Sequence, residues 1–351
     1  MWLWPVEAEN GRKHMASDKA KGGGLDRILV LEVARVTEVA AIAAARWRGQ
    51  GQNKAADKAA VDAMRRELGK VNIRGKVVIG EGEMDEAPML YIGEEVGTGE
   101  GPRVDIAVDP LEGTTICAKD MPNALAVIAI SEEGGLLNAP DMYMDKIASG
   151  PGYPDGIIDL DRPVKDILAD LAKHKKCPVR EITACILDRE RHAQLIKEVR
   201  EAGAGVRLIP DGDIAGVIWT TDPAQTGVDI YLGSGGAPEG VLAAAALRCI
   251  GGQMQGRLSP ERHSEKERPE LIARAAKMGI KDIRKKYSMA EMACDDVIFS
   301  ATGVTAGSLL DGVHFRGEFA ETETVVMRSK TGTVRRIKTT MRNIGVKGVL
   351  A

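Results

Sequence analysis

From Pro151-Gly152-Tyr153-Pro154 onward the chain alternates between two hydrophobic periods, and that alternation restricts the fold more than any other feature. Helical spacing over about Val164–His174 gives way to a short apolar run at Ile182–Leu187. A helix over Arg191–Ala202, a strand at Val206–Pro210, a further helix, a strand at Val228–Gly233 and a helix over Glu239–Ile250 follow. Strands separated by helices are joined by crossovers, so this order predicts a largely parallel sheet with helices on its faces. Upstream, Ile28, Leu31, Val36, Val39, Ala40 and Ala43 recur mostly at three- and four-residue steps until Gly49-Gln50-Gly51, and a second helix is expected from near Asp57 to about Leu68. The period then shortens, and Lys76–Gly80, Val104–Asp109 and Ala124–Ser131 read as buried strands. Near the other end, Thr322–Ser329 and Thr333–Met341 flank Lys330-Thr331-Gly332, a hairpin signal. A length of 351 residues fits about two compact units. We expect a disordered extension over residues 1–24 and one unit over 25–351 in two α/β halves, about 25–160 and 161–351.

Several function classes drop out on composition. The net charge of −3 offers no general field for polyanions, and 3% aromatic residues cannot furnish a base-stacking platform, so nucleic acid is not an expected partner. The longest nearly uncharged apolar stretches, Ala124–Ile130 and Val241–Leu247, fall far short of the ~18 residues of a bilayer span, so no membrane partner is expected. The five Cys are odd in number and widely spaced without a CxxC, which suggests neither a disulfide framework nor a zinc site and fits the cytoplasm.

Chemistry is concentrated where acids follow strands. Lys76–Gly80 runs into Glu81-Gly82-Glu83-Met84-Asp85-Glu86, and Val104–Val108 runs into Asp109-Pro110-Leu111-Glu112-Gly113-Thr114. Carboxyl ends of strands in an α/β sheet open on a ligand crevice, so both clusters are expected to face one hollow. Carboxylates crowded there either take up protons or gather a cation, and oxygen-only ligands point to Mg²⁺ or Mn²⁺. Taken alone, the first cluster reads as a solvated loop. The second is more specific, because Pro stiffens the turn, Gly permits close backbone approach, and the two acids bracket a bend that can aim both at one ion. Thr114 either contacts an attacking water there or simply caps the turn.

Gly233-Ser234-Gly235-Gly236-Ala237-Pro238-Glu239-Gly240 is not a dinucleotide fingerprint, since Pro238 fills the last Gly slot. It reads instead as a helix start whose N–H groups beside Gly236 suit a phosphate, with Glu239 either a ligand or a helix-dipole partner. His174, His192, His263 and His314 show no metal spacing; His192 alone, after Arg189-Glu190-Arg191, is placed to lie near a phosphate. Ser234 is not in a nucleophile elbow, and Arg284-Lys285-Lys286 reads as a solvated face.

Glu81 followed by Asp109-Pro110-Leu111-Glu112-Gly113-Thr114 resembles the metal core of the lithium-sensitive sugar phosphatase and inositol monophosphatase superfamily. Gly80–Gly93, Leu137–Met144, Pro210–Asp213 and Gly235–Gly240 are similar, in consistent order from about Leu25 to near the C-terminus, to the bacterial class II, GlpX-type fructose-1,6-bisphosphatases. The resemblance implies a layered α-β-α-β-α sugar phosphatase fold with mixed and largely parallel sheets, assembly as a dimer or tetramer, and hydrolysis of the 1-phosphate of a sugar bisphosphate, fructose 1,6- or sedoheptulose 1,7-bisphosphate, with Mn²⁺ or Mg²⁺. It assigns Asp57 and Glu81 to one ion, and Asp109, Glu112 and Glu239 to the other. Thr114 with Glu81 would orient and deprotonate the water. Glu112, Gly113, Thr114, Tyr143, Arg189, Glu190, Arg191, Asp211, Gly212, Asp213 and Gly236 would line the sugar bisphosphate, and Glu83 is an extra acid nearby. The family usually has Lys four residues before the acid matching Asp57. Here that slot is Asn53 and the Lys is Lys54, which leaves open whether an ammonium reaches the site. Two other readings remain: a non-catalytic sugar-phosphate sensor that kept the pocket, and an inositol monophosphatase-like enzyme, against which Arg189 and Arg191 count because they suit a second phosphate.

Overall fold

The computed structural model of the chain describes residue 25, residues 27–82 and residues 89–342. The expected extension over 1–24 and the extra acid Glu83 lie outside the described residues. The chain first lays down β1 (Arg74–Ile79), β2 (Glu95–Val96), β3 (Arg103–Glu112) and β4 (Leu125–Glu132). It then moves to a second sheet with β5 (Tyr143–Ser149), β6 (Thr183–Leu187), β7 (Gly205–Ile209), β8 (Ile230–Gly236), β9 (Gln253–Leu258) and β10 (Lys286–Ser288). Finally β11 (Val297–Gly303), β12 (His314–Arg316), β13 (Phe319–Arg328) and β14 (Thr333–Arg342) return to the first sheet. Sheet membership changes at β5 and changes back at β11.

Helices α1 (Leu29–Ala45) and α2 (Asn53–Leu68) cover the outer face of the first sheet, where Val33, Ala40 and Met64 pack on Val77, Ile106 and Ile128. After the short α3 (Thr114–Ala118), α4 (Val164–Lys175) and α5 (Ala193–Glu201) cover the outer face of the second sheet. Between the sheets lie α6 (Asp213–Trp219) and, after the single exposed turn α7 (Pro223–Thr226), α8 (Ala237–Ile250). The run Val241–Leu247 is buried on every side, and that is why it shows no polar stripe: a helix sandwiched between two sheets has no solvent face. In β4, Leu125, Val127 and Ala129 point to this middle layer while Ala126, Ile128 and Ile130 point to α1, so a continuous apolar run covers both faces. The layers are thus α-β-α-β-α, as the resemblance implied.

The sheets are mixed, as expected, but not largely parallel. Parallel pairing is confined to β1–β3, β6–β7 and β6–β8, and the other described ladders are antiparallel. Alternation of helix and strand fixes how many crossovers exist, yet a strand delivered by a long loop can enter between two others in either direction, as β5 does between β8 and β9. The hairpin expectation holds over the full length of β13 and β14.

Candidate active site

Because β1 and β3 are parallel neighbours, their carboxyl ends emerge side by side. Glu81 lies just past β1, its N–H donating to the Leu90 carbonyl at 3.0 Å. Asp109 and Glu112 sit three residues apart on β3, a spacing that puts side chains on opposite faces of a regular strand. The pairing with β4 slips between them: Asp109 opposes Val127 while Glu112 opposes Leu125, so three steps on β3 match two on β4. This extra residue, at Pro110-Leu111, turns both acids toward one side. Gly113 follows at φ +83°, a conformation open to glycine, and starts α3 with Thr114. Asp57 comes from the beginning of α2, and Glu239 is the third residue of α8.

These carboxylates meet. Asp57, Glu81, Asp109, Glu112 and Glu239 all line one cavity of about 350 Å³, together with Gly113, Thr114, Asp141 and Asp211. Ligand oxygens of Asp109, Glu112 and Glu239 lie within 4.8 Å of one another. Seven carboxylates and no Lys or Arg appear among the described residues of this lining. Burial and mutual repulsion push the acids toward the protonated form. Glu81 rises to about 8 through burial first and then through Asp109, Asp57 and Glu239. Glu239 also rises to about 8, from burial and the charge of Asp213, although Lys146 opposes this. Asp109 rises to about 6, and Glu112 rises well above the usual glutamate range, both chiefly by burial. Glu239 Oε2 is buried without a hydrogen-bond partner. A buried carboxylate oxygen left unpaired among other carboxylates, with oxygen donors only, fits a hard divalent cation.

A family model described as "Bacterial fructose-1,6-bisphosphatase, glpX-encoded" matches residues 27–341. The chain belongs to this family. It is 49% identical over 320 residues to "Fructose-1,6-bisphosphatase 1 class 2" of Escherichia coli (strain K12), covering 89% of this chain and 94% of the relative. Identity and coverage are the same for "Fructose-1,6-bisphosphatase class 2" of Shigella flexneri.

The remaining residues implied by the family resemblance are placed unequally. Arg189 lies beside the cavity, its guanidinium 3.8 Å from the lining residue Asp211. Arg191 donates through Nε and Nη2 to the Ser234 carbonyl at 3.1 and 2.8 Å, with its guanidinium 4.7 Å from the centre of the Tyr143 ring. Glu190 is exposed in the turn between them, and Gly212 starts α6 at φ +84°. Tyr143, Arg189, Glu190, Arg191, Gly212, Asp213 and Gly236 are not part of the cavity lining itself. His192 does not offer a free imidazole to a phosphate: Nδ1 donates to the Leu187 carbonyl and Nε2 accepts from the Ser234 N–H, both at 2.8 Å. Lys54 is exposed on the first turn of α2 and is absent from the lining, whereas Asn53 donates to Thr115 Oγ1 at 3.1 Å and ties α2 to α3.

The start of α8 also differs from a free anion cradle. Ala237 N–H is spent on the Met142 carbonyl and Pro238 has none. The bare glycines serve side chains instead: a Cβ at Gly236 would overlap the Glu239 carboxylate, and one at Gly235 would overlap Asp213. Asp141, which sequence reasoning did not single out, adds an exposed carboxylate to the lining; its position between Pro140 and the first residues of β5 carries no local signal of that role.

Proposed function

We propose that this chain hydrolyses the 1-phosphate of fructose 1,6-bisphosphate to fructose 6-phosphate and inorganic phosphate, with Mn²⁺ or Mg²⁺, in the cytoplasm. One observation carries the reading: five acids from four separate stretches of chain line a single cavity with no basic side chain in its described lining. A phosphate dianion does not enter such a hollow unaided, so the carboxylates are there for cations first. Asp57 and Glu81 would hold one ion, and Asp109, Glu112 and Glu239 the other. When bound, the pair supplies activation of water and charge stabilisation of the phosphoryl and leaving oxygens.

The chain's own groups do the rest. Thr114, at the cavity wall directly after Gly113, orients the water through its hydroxyl, and Glu81 accepts the proton. Water attacks directly, without a covalent phosphoenzyme. Asp141 and Asp211 accept sugar hydroxyls, with Glu112, Gly113, Glu190, Gly212, Asp213 and Gly236 forming or backing the sugar pocket. Arg189 beside the cavity and Arg191 over Tyr143 provide the positive charge for the distal phosphate. Acceptance of sedoheptulose 1,7-bisphosphate and assembly as a homodimer or homotetramer belong to the same reading.

Phosphate release tests it, with fructose 1,6-bisphosphate, sedoheptulose 1,7-bisphosphate and inositol 1-phosphate each supplied with Mn²⁺ or Mg²⁺. Release from the fructose bisphosphate is expected. Binding without release would make the chain a sensor, and preference for the inositol ester would overturn the role given to the arginines.

A further inference from the structure

We infer that Lys146 is a positioning residue for the metal site, a built-in cation that locks together the two helix starts supporting Glu112 and Glu239. The inference rests on the metal-site reading above. Lys146 lies on β5 between Met144 and Ala148 on the inward parity and is only 1% exposed. A lone buried ammonium is strongly disfavoured by the loss of its hydration, so its partners define its purpose. Among the described residues its hydrogen-bonding partners are the carboxylate of buried Asp213, in an ion pair, and the carbonyl of Gly236 at 2.8 Å.

Each partner leads to a proposed ligand. Asp213 is the first residue of α6, and the next N–H, that of Ile214, donates to Glu112 Oε1 at 3.3 Å. Gly236 caps α8, whose third residue is Glu239. Tyr231 donates its hydroxyl to the same Asp213 oxygen at 3.4 Å, which fixes that carboxylate from the other side. The geometry also needs space. A Cβ at Gly235 would lie 2.9 Å from Lys146 Nζ, and one at Gly240 would lie 3.2 Å from its Cδ, so two glycines of the Gly-rich turn leave room for this side chain. The ammonium therefore does for the protein side of the carboxylate cluster what the dications do on the cavity side.

Direct Mn²⁺ binding, read from the electron paramagnetic resonance of free Mn²⁺, tests this without reference to turnover. Lys146→Met leaves Asp213 buried and unpaired, so its melting temperature falls on any account. Lys146→Met/Asp213→Asn removes both buried charges and restores most of that stability. If Lys146 positions the site, both variants bind Mn²⁺ at least ~10-fold more weakly than wild type, the range seen when groups behind a metal's ligands are removed. Recovery of wild-type Mn²⁺ affinity in the double variant would mean that Lys146 merely neutralises Asp213, and the inference fails. It fails equally if the single variant binds Mn²⁺ as tightly as wild type, or if neither variant folds with Mn²⁺ present, since the pair then serves stability alone. A wild-type protein that binds no Mn²⁺ would instead sink the metal-site reading.

Discussion

Stripping the divalent cations should turn the cavity into a pH-dependent weakness of the fold. The perturbation is thermal unfolding in EDTA against unfolding in excess Mn²⁺, from pH 4.5 to 8.5. Glu81 moves from a usual value of 4.5 to about 8 in the folded chain, and Glu239 moves likewise. A carboxyl raised on folding binds more protons folded than unfolded between those values. Its stabilising protonation is complete below 4.5 and is lost as pH climbs through about 8. Glu81 alone corresponds to about 5 kcal/mol over that window, a large share of the total stability of a typical domain. With an unfolding entropy of ~2.1 cal/mol/K per residue, a chain of this length has ~0.7 kcal/mol/K in all, so the loss lowers Tm by ~7 °C. With Mn²⁺ bound the carboxylates ionise against the cations, and the slope flattens. Mn²⁺ added at pH 7 should also release protons, which buffer titration detects. Parallel Tm curves in EDTA and Mn²⁺ across the whole range would refute the idea that these acids share one desolvated cation site.

Three further outcomes are expected. Thr114→Ala should lower kcat at least ~100-fold with little change in KM, the loss of one oriented catalytic group, as steady-state kinetics would reveal. Gly236→Ala puts a methyl group onto the Glu239 carboxylate, which must swing out of the cluster; Mn²⁺ affinity should fall ~10- to 100-fold in a binding titration while the fold survives. Arg328→Met breaks a buried bidentate pair with Asp296 and the hydrogen bond to the Leu25 carbonyl at 2.6 Å, so denaturant unfolding should show a loss of about 3–5 kcal/mol.

How much of the site could be read beforehand depended on whether the signal was local. Asp109 and Glu112 announced themselves because the Pro110 and Gly113 that shape their bend lie within the same six residues. Lys146 did not, since its partner Asp213 is 67 residues away in sequence. A hint was present in its parity with buried Met144 and Ala148, which places a lysine on the inward face of a strand, but parity alone cannot say what that lysine meets. The Gly-rich turn misled for a related reason. Its glycines read as a phosphate cradle, whereas Gly235 and Gly236 clear space for carboxylates arriving from other elements.

From hydrophobic period, turn residues and acid placement, the amino-acid order by itself determined most helices, most strands, the terminal hairpin and the acid clusters at Glu81 and at Asp109–Glu112, because each depends on contacts within a few residues; Asp57 and Glu239 were marked by the family resemblance. Only the tertiary structure decided strand direction, the return of β11–β14 to the first sheet, the slip on β3 that brings Asp109 and Glu112 to one side, and the buried ion pair of Lys146 with Asp213. Those features are agreements between segments far apart along the chain, and packing around α8, not local preference, selects among the ways such segments can meet.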